Sequence, residues 1–100
     1  MPHDDERWLV IGGRRWRRTD PQLPDEVVHD LKRHLGRARS AVGVAKRAGE
    51  SEAEREARDR VGLAKHGLGE RGPYWWDEPV GDRVERARQA LAELNERDPL

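Results

Sequence analysis

One hundred residues make one small domain with a lean core: 34% of the residues are hydrophobic and 40% charged, with four Trp, one Tyr and no Phe. The lack of Cys excludes disulfides and thiolate metal sites, and no apolar stretch approaches the ~20 residues that span a bilayer. Formal charge is zero overall, yet residues 1–6 hold three acids and no Lys or Arg, residues 7–47 hold 11 basic against 4 acidic side chains, and residues 48–100 hold 9 against 13. That asymmetry favours a charged partner or association between copies.

The start, residues 1–6, is acidic and polar, unlike a signal peptide, and is read as a flexible start to a soluble cytoplasmic protein. Residues 7–18 predict a β-hairpin. Trp8-Leu9-Val10-Ile11 is strand-prone, and Gly12-Gly13 supplies the two positive-φ positions of a primed two-residue turn. The return strand is Arg14-Arg15-Trp16-Arg17. This register sets Trp8 opposite Arg17, Leu9 opposite Trp16, Val10 opposite Arg15 and Ile11 opposite Arg14. One face holds Leu9, Ile11 and Trp16, and is expected to pack inward. The other holds Trp8, Val10, Arg15 and Arg17, with Arg17 expected over Trp8. A lone hairpin is marginal in water, so it must dock on the rest of the chain.

A proline-stiffened connector, Thr19–Pro24, leads to the longest element, a helix over 24–48. Its apolar stripe, Val28, Leu31, Leu35, Ala38, Val42 and Ala45, steps by threes and fours. Pro24 fits the first turn, Asp25 and Glu26 suit the positive end of the helix dipole, and Gly49 suits a left-handed C-terminal cap. At 1.5 Å per residue the rod is roughly 36 Å long. Gly36 and Gly43 lie on one side of it, where they serve either a close approach or nothing at all. A second helix is predicted over 51–68, opened by a capping box of Ser51 and Glu54, with a stripe at Ala57, Val61, Ala64 and Leu68. The short link forces an antiparallel pair with Leu35 against Ala64 and Ala38 against Val61. Pro73-Tyr74-Trp75-Trp76 then returns beside the start of the long helix, so all five aromatics are expected to converge there, with Trp16 and one of Trp75 and Trp76 buried. A third helix over 79–96 carries Val80, Val84, Ala87, Leu91 and Leu94.

Chemistry is sparse. Glu26, Asp30 and His34 share a helix face, but no HExxH or CxxC pattern supports a metal, and the ordinary reading is a solvated polar face. Gly12-Gly13 lacks the Lys and Ser/Thr of a phosphate loop, and no Ser or Thr is paired with a His for nucleophilic catalysis. The sequence therefore holds no catalytic, cofactor or metal site. Its sharpest local feature is Arg14-Arg15-Trp16-Arg17-Arg18: Arg14, Arg15, Arg17 and Arg18 could grip phosphates while the aromatic stacks on a base, or they could simply be solvated or meet a protein partner. Overall neutrality counts against nucleic acid.

The segments 8–21 (WLVIGGRRWRRTDP) and 67–76 (GLGERGPYWW) together resemble a group of small, uncharacterised actinobacterial-type proteins often labelled automatically "biopolymer transporter Tol". The resemblance covers roughly residues 7–76. The label implies a transport role, although no segment here reads as membrane-spanning or as an export signal. The group brings no established catalytic residues. Gly12 departs from its pattern, where a polar residue before the second Gly is expected.

The expected fold is α+β and mostly helical: an N-terminal two-stranded hairpin, a long antiparallel helical hairpin and a C-terminal third helix. The expected function is a small non-enzymatic interaction protein without cofactor, self-associating or binding another protein, with Val84 and Leu91 as interface residues because the monomer leaves few large side chains to cover the third helix. The alternative is a nucleic-acid-binding accessory protein that uses the Arg/Trp hairpin. No membrane partner is expected.

Overall fold

The computed structural model describes residues 4–100. Residues 1–3 of the expected flexible start lie outside that range, and Asp4–Arg7 form one helical turn, α1. Strands β1 (Trp8–Ile11) and β2 (Arg14–Arg17) follow, then helices α2 (Asp25–Ala48), α3 (Ser51–Gly67) and α4 (Val80–Arg97), with a single 3₁₀ turn at Trp75–Asp77. The protein is α+β and mostly helical, a hairpin followed by three helices. Among the described residues, no helix is long and apolar enough to cross a membrane.

The hairpin has the register that its turn dictates, Trp8 to Arg17 through Ile11 to Arg14. Gly12 and Gly13 sit at φ 58° and 79°, a backbone that a β-carbon would strain. Helix α2 begins after Pro24 and ends at Gly49, whose φ of 70° reverses the chain while Gly49 N–H bonds the Lys46 carbonyl and Glu50 N–H the Ala45 carbonyl. Helix α3 starts at Ser51 as expected, but its capping differs. Glu50, not Ser51, is its N-cap, no side chain caps it, and the expected Ser51–Glu54 box does not form. The Glu54 N–H instead bonds the Glu50 carbonyl at 2.9 Å.

The core joins Leu23, Val27, Leu31 and Leu35 to Ala64 and Leu68 of the second helical layer and to Ala87, Ala90 and Leu94 of α4. Leu35, Ala38, Ala57 and Ala64 are all buried, as the antiparallel register requires. The three helices approach closely at Gly67, where a β-carbon would lie 2.9 Å from the Ala90 methyl and 3.2 Å from both Leu31 methyls. Gly36 and Gly43 admit no helix: nothing lies within 4 Å of a β-carbon at Gly36, and only the Arg47 side chain approaches one at Gly43.

Two polar features inside this fold were not expected. His34 is fully buried between Leu31 and Ala38, not on a solvated face with Glu26 and Asp30. Its Nε2 meets the Asn95 amide oxygen at 2.7 Å, while Nδ1 has no partner. The second is a bidentate clasp. Arg83 donates from Nε and Nη2 to the two carboxylate oxygens of Asp20 at 2.8 and 2.6 Å, with both residues buried. Asp20 also accepts from Gln22 N–H, and its own N–H bonds the Leu68 carbonyl. The clasp thereby ties the connector to α4 and to the end of α3. The hydrogen bonds it donates to Asp20 raise the Arg83 pKa against the opposing effect of burial.

Far from the hairpin, Asp98 accepts Arg37 through both oxygens at 2.8 and 2.7 Å and Arg60 at 3.1 Å, fixing the end of α4 to α2 and α3. These hydrogen bonds, Arg37 first, hold the Asp98 carboxyl below its ordinary value. Arg97 adds bonds to Asp59, Glu93 and Glu56.

Candidate functional site

The hairpin docks by the face opposite to the one expected. Arg17 Nη1 reaches the carbonyls of Gly69, Gly72 and Pro73 at 3.2, 2.9 and 3.1 Å. These carbonyls belong to the loop after α3, where helical bonding has ended and acceptors need donors. A guanidinium can serve several of them at once, which Leu9 or Ile11 cannot. Because those acceptors are uncharged, burial dominates and lowers the Arg17 pKa. On the same face Trp8 meets Tyr74 and Trp76 edge-on at 6.0 and 5.6 Å. Tyr74 and Trp76 stack on each other at 4.6 Å. Arg15, rather than Arg17, lies over Trp8 at 4.1 Å, and Arg17 lies over Tyr74 at 4.6 Å.

Docking by that face leaves the other one open. Leu9 is 36% exposed, Ile11 61% and Trp16 39%, and Val10 at the hairpin edge is 69% exposed. Trp16 is thus not the buried core residue expected, and the five aromatics do not all converge. Trp8, Tyr74, Trp75 and Trp76 form one cluster. Trp16 stands apart from it, against the Arg14 guanidinium at 4.7 Å and the Lys65 ammonium at 5.3 Å. Trp75 alone is fully buried among them, its Nε1 donating to the Arg18 carbonyl at 3.1 Å. Burial lowers the Lys65 pKa, helped by Arg71 and Arg39.

The four hairpin arginines therefore divide by role. Arg17 is a half-buried structural donor. Arg14, Arg15 and Arg18 are exposed, Arg18 donating from Nε to the Trp8 carbonyl at 3.2 Å. Val84 and Leu91 of α4 are half-buried and pack against the core of the monomer, which α4 closes with Ala87, Ala90 and Leu94. Among the described residues no His, Cys, Asp or Glu cluster could hold a metal ion.

Concavities are also present away from the hairpin. Arg39, Val42, Arg58, Val61 and Arg71 line one between α2 and α3. Another on α4 is lined by Gly81, Val84, Glu85, Arg88, Gln89 and Ala92. The chain matches no protein-family model, no curated protein and no solved structure in comparisons with each. The resemblance drawn from segments 8–21 and 67–76 thus rests on those residues alone.

Proposed function

We propose that this chain is a small non-enzymatic interaction protein, that the hairpin is its contact surface, and that it self-associates. The observation that carries this reading is the open hairpin: Leu9, Val10, Ile11 and Trp16 are exposed beside exposed Arg14, Arg15 and Arg18. Trp and Arg are the residues that most often anchor protein interfaces. In a core this lean, leaving four large apolar side chains in water on one twelve-residue element costs stability that association would return. The reading places the contact on the hairpin and not on α4, because Val84 and Leu91 already pack within the monomer. A cytoplasmic location belongs to the same proposal, supported by the cysteine-free, charge-rich composition.

Nucleic-acid binding is the second reading, favoured by the exposed Arg14, Arg15 and Arg18 on a ribbon. It is the weaker one because Arg15 and Arg14 lie over the Trp8 and Trp16 rings, so a base stacking on those faces would have to displace them. A pull-down from the native host, with and without nuclease, tests the choice. Protein capture that survives nuclease and is lost on Ile11→Ser supports the interaction reading. Capture abolished by nuclease, or unchanged by Ile11→Ser, contradicts it.

A further inference from the structure

The proposal that the chain self-associates through its hairpin leaves open how two copies meet, and the strand pairing narrows it. Arg18 N–H bonds the Arg7 carbonyl at 2.8 Å, and the pairs Leu9–Trp16 and Ile11–Arg14 follow at two-residue steps. In an antiparallel ladder, hydrogen-bonded and non-hydrogen-bonded pairs alternate. The peptide groups of Trp8 and Val10 therefore point away from β2, along the outer edge of β1. The Trp8 carbonyl is taken by Arg18 Nε. Val10, the most exposed large apolar residue of the hairpin, is at the middle of that edge.

We infer that the partner is a second copy of this chain, joined edge to edge through β1 across a two-fold axis at Val10. An exposed apolar strand edge is a template for another strand, and an isologous dimer is the simplest closed way to cover it. The two edges of the hairpin are not equivalent. Strand β2 carries Arg14, Arg15 and Arg17, so a β2–β2 contact would set like charges side by side. Strand β1, Trp-Leu-Val-Ile, carries no charge.

With Val10 facing Val10 of the second copy, Leu9 faces Ile11 of the second copy and the reverse. Leu9 and Ile11 share a face, so each packs beside the other across the new strand pair and gains cross-strand apolar contact that the monomer lacks. Four strands also relieve the marginal stability of an isolated two-stranded hairpin.

The 100-residue chain provides the test. It has no Cys, so a single introduced thiol can bridge only to another copy. Residues directly opposite in a hydrogen-bonded antiparallel pair have Cα atoms about 5.5 Å apart, within disulfide reach. Val10→Cys is expected to form a covalent dimer under mild oxidation much faster than Val44→Cys, a similarly exposed control on α2. In sedimentation, the natural chain is expected to show a concentration-dependent dimer that persists at moderate salt. Val10→Lys should weaken it by about tenfold or more, because like charges would face each other across the axis. Val44→Lys should leave it unchanged. A natural chain that stays monomeric, or equal cross-linking at positions 10 and 44, overturns the inference. Ile11-dependent capture of a different protein in the pull-down would still leave the hairpin as contact surface, so the two readings fail separately.

Discussion

Replacing Asp20 by Asn leaves the Arg83 guanidinium buried without its counter-charge. The native pair is 2% and 6% exposed and closes through two hydrogen bonds of 2.8 and 2.6 Å. Among the described residues, the other acceptor on Arg83 is the Glu78 carbonyl at 3.2 Å. Removing one partner of such a buried pair costs about 3–5 kcal/mol, since the other is left desolvated and uncompensated. A domain of this size has a total stability of roughly 5–15 kcal/mol, so the variant should lose a large share of it. Urea unfolding read by tryptophan fluorescence suits the measurement, because Trp75 lies 5.5 Å from the Arg83 guanidinium. With an m-value of about 1–3 kcal/mol/M, the midpoint should fall by roughly 1–5 M. The double replacement Asp20→Leu with Arg83→Met should recover most of the loss, as an apolar pair needs no desolvation of charge. An Asp20→Asn variant within about 1 kcal/mol of the natural protein would refute the reasoning, because the clasp would then be a peripheral contact.

Other substitutions test separate parts of the fold. Gly67→Ala should destabilise by about 1–3 kcal/mol through the clash with Ala90 and Leu31, read by thermal melting. Gly36→Ala, at an open surface position of α2, should stabilise by about 0.5–1 kcal/mol in the same assay. His34→Leu should leave stability unchanged or raise it, because it removes a buried nitrogen without a partner; a clear loss would show that the Asn95 bond dominates. Burial, with Arg86, lowers the His66 pKa below its ordinary 6.5, so the unfolded chain takes up a proton first as pH falls. The His66 contribution is therefore complete above pH 6.5 and declines as pH drops through the lowered value, a slope that His66→Gln should flatten in urea titrations across pH.

Local chemistry fixed what could be read in advance. Gly12-Gly13 dictated the hairpin register, and the apolar steps with Pro24 and Gly49 dictated the long helix. Alternation along Trp8–Arg17 shows two faces but not which one docks. That choice is made by carbonyls at Gly69, Gly72 and Pro73, more than fifty residues away in the chain, and Arg17 answers them. Trp16 is large and apolar, so composition alone points it inward, yet the carbonyls decide otherwise. The Asp20–Arg83 clasp is equally long-range, an ordinary acid before a proline and an ordinary arginine on a charged helix. His34 was within reach: it lies three residues after Leu31 and four before Ala38, inside the buried stripe, and polarity argued it out of the core.

The most direct measurement of the central claim is amide hydrogen exchange at Val10 at two protein concentrations. If β1 pairs with a second copy, the outward Val10 N–H is open in the monomer and becomes protected as the protein associates, while the Leu9 and Ile11 N–H groups, already bonded within the hairpin, change little. An N–H at Val10 that exchanges at the same fast rate at every concentration, in a protein that nevertheless dimerises, would contradict the claim and move the contact away from the hairpin edge.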